Sequence, residues 1–363
     1  MASARLQTID GIRGHLLLGM MICHLHVIGA PIMGSWLGIA HHRWIVGFWD
    51  AEFFVAVSGL MCGLLAQRRF GLGPALRSFL LSRLRLVFLY VVGLQVLVGS
   101  IEGQALPGLA GLGRIVLMDG PSSLSATLDL YVWCFVFLIG SLLLTQRIAG
   151  LLAIAALLYG AATLVPMRGL LGYGAANFNV PAWYAVFALA FAAGAKADAV
   201  VAAVAGWDAI RVRAALLAAA AVWIGARLLA GGTAFGATPD TISEARDMLG
   251  PLRLLSLAGF CAAFALVLRF DALPPLARAL RAWFALPLLQ DLGRRSIQAF
   301  AFHSVLIAVF AKLMRPGDPV FTGMLALAML SLFLLFPALH DRVRALRARM
   351  PIPARVARPV AAR

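Results

Sequence analysis

The side chains with chemical potential in this chain crowd into one apolar stretch near its start, Asp10-Gly-Ile-Arg13-Gly-His15 followed by Cys23-His24-Leu-His26. Ionisable groups are costly inside an apolar helix, so each one there is a functional hypothesis. On a helix of about 100° and 1.5 Å per residue, Arg13 and His24 lie eleven positions apart. They then fall within about 20° of one face, separated by about 16 Å along the axis. Asp10 precedes Arg13 by three positions, within ion-pairing reach on the same stripe. His15 and His26 share another stripe and read as structural or interfacial. The layout suits a long donor whose charged head meets Arg13 and whose reactive end meets His24. Histidine is the usual general base because it titrates near neutrality.

Other stretches add to this set. Asp50-Ala-Glu52 opens a second apolar run, where Glu52 either orients His24, contacts an acceptor hydroxyl, or simply favours a helix start. Asp50 stands beside it as a substrate contact. Ser58-Gly59 reads as a close-packing pair or a substrate contact. A serine nucleophile is disfavoured because no Gly-x-Ser-x-Gly elbow is present. Arg77, Arg83 and Arg85 open a third run and Arg294-Arg295 a later one, and either group can grip phosphate or mark topology. His303, inside an apolar run, is a further site candidate. Asn177, Asn179 and Trp183 suit a sugar site, with Trp as interface anchor the plainer reading. Cys23, Cys62, Cys134 and Cys261 have no paired spacing, which predicts neither a disulfide framework nor a zinc site.

The elements that must position these residues follow from composition. Of 363 residues, 62% are hydrophobic and 13% charged, with mean hydropathy +0.92. A soluble domain has roughly 45–50% apolar and about 25% charged residues. Apolar runs long enough to cross a bilayer predict an all-α polytopic bundle. Ten spans are expected: Gly11 to Ala30, Phe48 to Ala66, Ser78 to Gly99, Leu124 to Thr145, Ile148 to Val165, Pro181 to Ala195, Ala214 to Ala230, Leu252 to Leu268, Ile297 to Leu313 and Phe321 to Leu339. The last five are short. Leu273 to Leu292 suits a helix in the membrane interface, and Gln104 to Leu117 could dip partway in. With the N-terminus inside, Lys and Arg divide 22 to 7 in favour of the inner side, which predicts both termini in the cytoplasm. The net charge of +16 then serves topology and contact with anionic lipid, with no nucleic-acid partner needed. No loop is long enough for a separate catalytic domain, so residues 1–340 read as one membrane domain and 341–363 as a basic, disordered tail. The first run, interrupted by Arg13 and three histidines, does not read as a cleavable signal peptide.

Together these residues resemble the membrane acyltransferase-3 superfamily, in which a basic residue of the first span is followed, after ten intervening residues, by His. The closer likeness is to the branch named for the succinyltransferase of osmoregulated periplasmic glucans (OpgC-like). It rests on Asp10-Gly-Ile-Arg13-Gly to His24, on Ala51-Glu52-Phe-Phe-Val-Ala-Val-Ser58-Gly59, on Asn177-Phe-Asn179-Val-Pro181-Ala-Trp183, and on Leu292-Gly-Arg294-Arg295-Ser296-Ile to Phe302-His303. Leu249-Gly-Pro-Leu-Arg253-Leu-Leu is a weaker fifth stretch. Two positions depart from the branch: Cys23 stands where Asp is common, and Tyr184 where Gln is common.

The resemblance implies a ten-helix enzyme of the bacterial inner membrane. It would move an acyl group such as succinyl from cytosolic acyl-CoA to a glycan outside, with no permanently bound cofactor and no metal. It implies His24 as base, Arg13 on the donor side, and Arg83, Arg85 and His303 in support. The residues themselves leave two rivals open. One is a transporter or exporter that uses Arg13 and His24 for coupling, which expects an internal repeat and matched broken helices. The other is a non-catalytic scaffold.

Overall fold

The computed structural model describes residues 2–34, 36–39, 50–103, 108–116, 126–164, 178–231 and 249–349, and every regular element among them is helical. In chain order the helices are α1 (Ala2–Met33), α2 (Asp50–Leu65), α3 (Pro74–Ile101), α4 (Leu109–Val116), α5 (Ala126–Leu144), α6 (Ile148–Leu164), α7 (Val180–Ala195), α8 (Ala197–Ala205), α9 (Ala209–Leu229), α10 (Pro251–Phe270), α11 (Pro274–Phe284), α12 (Pro287–Arg294), α13 (Ser296–Leu313) and α14 (Pro319–Arg349). Proline opens α3, α10, α11 and α12, where its missing N–H costs nothing.

Among the described residues eight helices are long and apolar enough to cross a membrane. The number is nine if α7 and α8, bent by 62°, form one broken span. The α6 helix, with 17 residues, reaches only about 25 Å against a hydrocarbon core of about 30 Å. Each expected span therefore has a helix. Several run longer than their apolar cores, because Arg211 and Arg213 at the start of α9, and Arg269 at the end of α10, stay helical. Charge ends the apolar run before it ends the helix. In the same way α14 continues to Arg349, past the 340/341 boundary. The expected interfacial helix at 273–292 is two short helices, α11 and α12, with Ala277 and Phe284 of α11 buried and Arg278 and Trp283 exposed. The described part of 104–117 is α4, largely exposed apart from Ile115.

Glycine sets the packing, because without lipid-excluded water to drive association, close backbone approach must do so. At the centre, Gly59 and Gly63 of α2 lie against the backbone of Phe187 and Phe191 in α7, and Gly194 of α7 lies against Leu60. Ser58-Gly59 is the close-packing pair its residue types suggest. At the rim, Gly259 of α10 lies against Ala219 and Trp223 of α9. In α1, Gly11 meets the Phe284 carbonyl, Gly14 meets that of Leu289, and Gly293 meets that of Asp10. The Asp10-Gly-Ile-Arg13-Gly stretch is thus held backbone to backbone against α11 and α12. A Cβ at any of the three glycines would strike a carbonyl oxygen.

Candidate active site

That clamp fixes the rotation of α1 and turns its polar face toward α13. Arg13 Nη2 donates to Ser296 Oγ at the first residue of α13. His24 Nδ1 lies 2.9 Å from His303 Nε2, with the two rings stacked at 4.9 Å between centroids. Ser296 and His303 are seven positions apart, two helical turns on one face. Both pairings together make α1 and α13 parallel neighbours. The eleven-residue step on α1 is longer than the seven-residue step on α13, and the long Arg13 side chain takes up the difference.

The two ends of this seam differ in surroundings. His303 is fully buried, and the rings of Phe300 and Phe333 stand edge-on to it at 5.5 and 6.3 Å. His24 is half-buried. An N···N contact of this length carries one proton between the rings, so one nitrogen donates and the other accepts. At the other end, the Arg13 guanidinium lies 5.9 Å from the Phe54 ring. Its charged and polar neighbours are Tyr131, Asp10, Cys62 and Arg83. Arg13 Nε is buried without a hydrogen-bond partner. Tyr131 in turn shares a 3.1 Å hydrogen bond with Ser58.

Glu52 sits elsewhere. Read from the sequence as an orienter of His24, an acceptor contact or a helix-start acid, it is paired with Arg253: Oε1 accepts from Nε at 3.1 Å and from Nη2 at 2.7 Å. Glu52 is wholly buried and Arg253 nearly so, at 3% exposure. Each lies in the first turn of its helix, α2 and α10, and Arg227 in the last turn of α9 stands near Arg253. Glu52 and Arg253 lie at helix starts on the side that the arginine count predicts as outer.

A family model described as OpgC protein matches residues 99–344, about two thirds of the chain. The chain belongs to the OpgC family. Membership carries a membrane-associated, glycan acyl- or succinyltransferase-like role. The match spans Asn179, Trp183, Arg253, Arg295 and His303, while Arg13, His24 and Glu52 precede it. No curated protein and no solved structure matches the chain.

The remaining residues singled out in this OpgC-family chain fall into three groups. The first is internal framework. Trp183 is fully buried against Phe178, at 4.9 Å between ring centroids, so it is neither an interface anchor nor an open sugar platform. Asn179 is buried, and its Nδ2 donates to the Ala162 carbonyl at 3.0 Å, tying α6 to α7. Tyr184 bonds Ser141 at 2.8 Å inside the bundle. The second group lies on the basic side. Arg83 and Arg85 are both exposed, and two positions apart they point about 200° from one another. Arg83 lies over Phe79 and is the one near Arg13 and Cys62. Arg295, read as a phosphate ligand, donates to Asp341 at 2.6 Å and lies 3.6 Å from Asp291. Asp10 contributes its backbone to the contact with Gly293, and its neighbouring charges are Arg13 and Arg294. The third group is Asp50 and Asn177: Asp50 starts α2, but its side chain lies outside the described residues, as does all of Asn177.

Arg253 carried a sequence signal that the loop-counting of charges hid. A guanidinium in the first turn of a helix opposes the helix dipole and calls for a partner.

Proposed function

We propose that this chain is an integral-membrane O-acyltransferase that moves an acyl group such as succinyl from cytosolic acyl-CoA to a glycan hydroxyl at the outer face of the bacterial inner membrane. The observation that carries the reading is the 2.9 Å contact between His24 Nδ1 and His303 Nε2. With His303 Nε2 as acceptor, His24 holds its proton on Nδ1 and carries its basic lone pair on Nε2. That nitrogen takes the proton of the acceptor hydroxyl as its oxygen attacks the thioester carbonyl. An ester C–O bond forms, the C–S bond breaks, and the coenzyme thiolate leaves with the proton returned by the imidazolium. Such base assistance is worth about 10²- to 10⁴-fold. Arg13, oriented by Ser296 and with Nε unused, serves the charged or carbonyl part of the donor. The buried aromatic wall of Phe300 and Phe333 keeps water from competing with the hydroxyl.

The test compares glycans, by mass spectrometry, from cells with the wild-type gene, with His24→Ala, and with no gene. Acyl-bearing glycan is expected from the wild type alone. Full acylation by His24→Ala removes the base assignment, and none from the wild type removes the reaction. The 62° bend between α7 and α8 is the feature that favours the exporter reading. It falls at Lys196, on the opposite side from the Glu52–Arg253 pair and away from the α1–α13 seam.

A further inference from the structure

The chemistry above makes no use of Glu52 and Arg253, yet these are the most completely enclosed opposite charges among the described residues, with side-chain exposures of 0% and 2%. A buried ion pair is retained at a desolvation cost that only full hydrogen bonding repays. Here the bonding is one-sided. Both guanidinium donors converge on Oε1, and Oε2 is buried with no hydrogen-bond partner. A carboxylate oxygen only accepts, so a ligand for Oε2 must bring a hydroxyl or N–H and not a carbonyl or a phosphate. Asp50 begins α2 and Pro251 begins α10, so the pair lies within one turn of two helix starts on the same side. The positive-inside count makes that the outer side, where the acceptor of the proposed reaction resides.

We infer that Glu52, held in place by Arg253, docks a hydroxyl of the glycan acceptor on its free oxygen Oε2. This rests on the acyl-transfer reading and deepens it: His24 activates one hydroxyl while the Glu52–Arg253 pair holds another part of the same polyhydroxylated chain. Glu52 is then a binding residue and Arg253 a positioning residue. A purely structural pair makes a different forecast, because replacing both partners by apolar side chains of similar size is usually neutral or stabilising.

The experiment uses the purified full chain in liposomes, succinyl-CoA and acetyl-CoA as donor probes, and as acceptor the glycan fraction extracted from cells lacking the gene. Glu52→Ala strands a buried guanidinium, so the paired variant Glu52→Met/Arg253→Met is the informative one. Its KM for glycan is expected to rise at least tenfold, with the donor KM within twofold of wild type and the melting midpoint kept. A wild-type glycan KM in that variant overturns the inference, and so does a fall in kcat with both KM values unchanged. Glu52→Gln keeps the shape and one accepting oxygen, and should raise the glycan KM three- to tenfold. A wild-type value there also overturns the inference, even if the paired variant fails to fold. A wild-type protein that transfers no acyl group sinks the transfer reading and this one with it. A wild type that transfers, beside variants with unaltered glycan KM, sinks this one alone.

Discussion

His24–His303 and Glu52–Arg253 are both side-chain pairings across more than two hundred residues of sequence, yet they are opposite in kind. The histidines form a neutral contact in which one proton is shared, and one ring is half-open to its surroundings. The Glu–Arg pair is charged, closed and asymmetric, with one carboxylate oxygen taking both donors. A neutral pair can take up one proton as an imidazolium that still donates to the second ring, which is what a base must do. A buried ion pair resists any change of protonation, because breaking it leaves a bare charge. Under the proposed reaction one pairing turns over and the other stays fixed. The contrast then gives chemistry to the α1–α13 seam and holding to the α2–α10 contact.

Three measurements bear on that contrast. The largest effect is expected for Arg253→Met alone, which abandons the Glu52 carboxylate: a loss of about 3–5 kcal/mol in stability, read as a lowered thermal midpoint of the protein in detergent. If the single variant melts like the wild type, the pair is not the closed ion pair described. Next comes His303→Phe. Losing the acceptor for His24 Nδ1 should cut the rate by about 10- to 100-fold, less than the ~10²–10⁴ expected for removing a base outright. His303→Gln, whose amide oxygen can still accept, should recover most of the activity at similar stability. Equal damage from both would make His303 a packing residue. The smallest effect is expected at Arg295, whose partner Asp341 is 56% exposed. Arg295→Gln should change stability by less than about 1 kcal/mol, and a tenfold rise in the donor KM would instead return Arg295 to the phosphate-binding role its sequence position suggested.

How far the sequence could be read follows the same division. The all-helical membrane architecture is written in the length of the apolar runs, which one-dimensional composition captures directly. The shared face of Arg13 and His24 is also legible, because helical phase depends only on spacing within one element. Which element that face meets is not. His303 and Glu52 could be singled out as costly polar residues in apolar runs, but their partners depend on how helices far apart in sequence are laid side by side. Glu52 was the sharper lesson. Its residue type and depth suited a companion for His24, and a guanidinium 201 positions away took it. Trp183 erred in the other direction: at the mouth of an apolar run a Trp usually faces the interface, whereas here α7 lies at the bundle centre and encloses it. The glycines of Asp10-Gly-Ile-Arg13-Gly carried a meaning that no local rule supplies, since their value lies in the carbonyls of Phe284 and Leu289.

The separation of His24 from His303 has a consequence for how the protein is made. The two rings are 279 residues apart, and a ribosome adds about 5–20 residues per second. The first histidine thus waits roughly 15–60 s in the bilayer before its partner is synthesised. During that interval the nascent chain carries Arg13 and His24 without the α13 residues they later meet, Ser296 and His303. Under the proposed reaction, a chain truncated before α13 lacks His303 and with it the acceptor for His24 Nδ1.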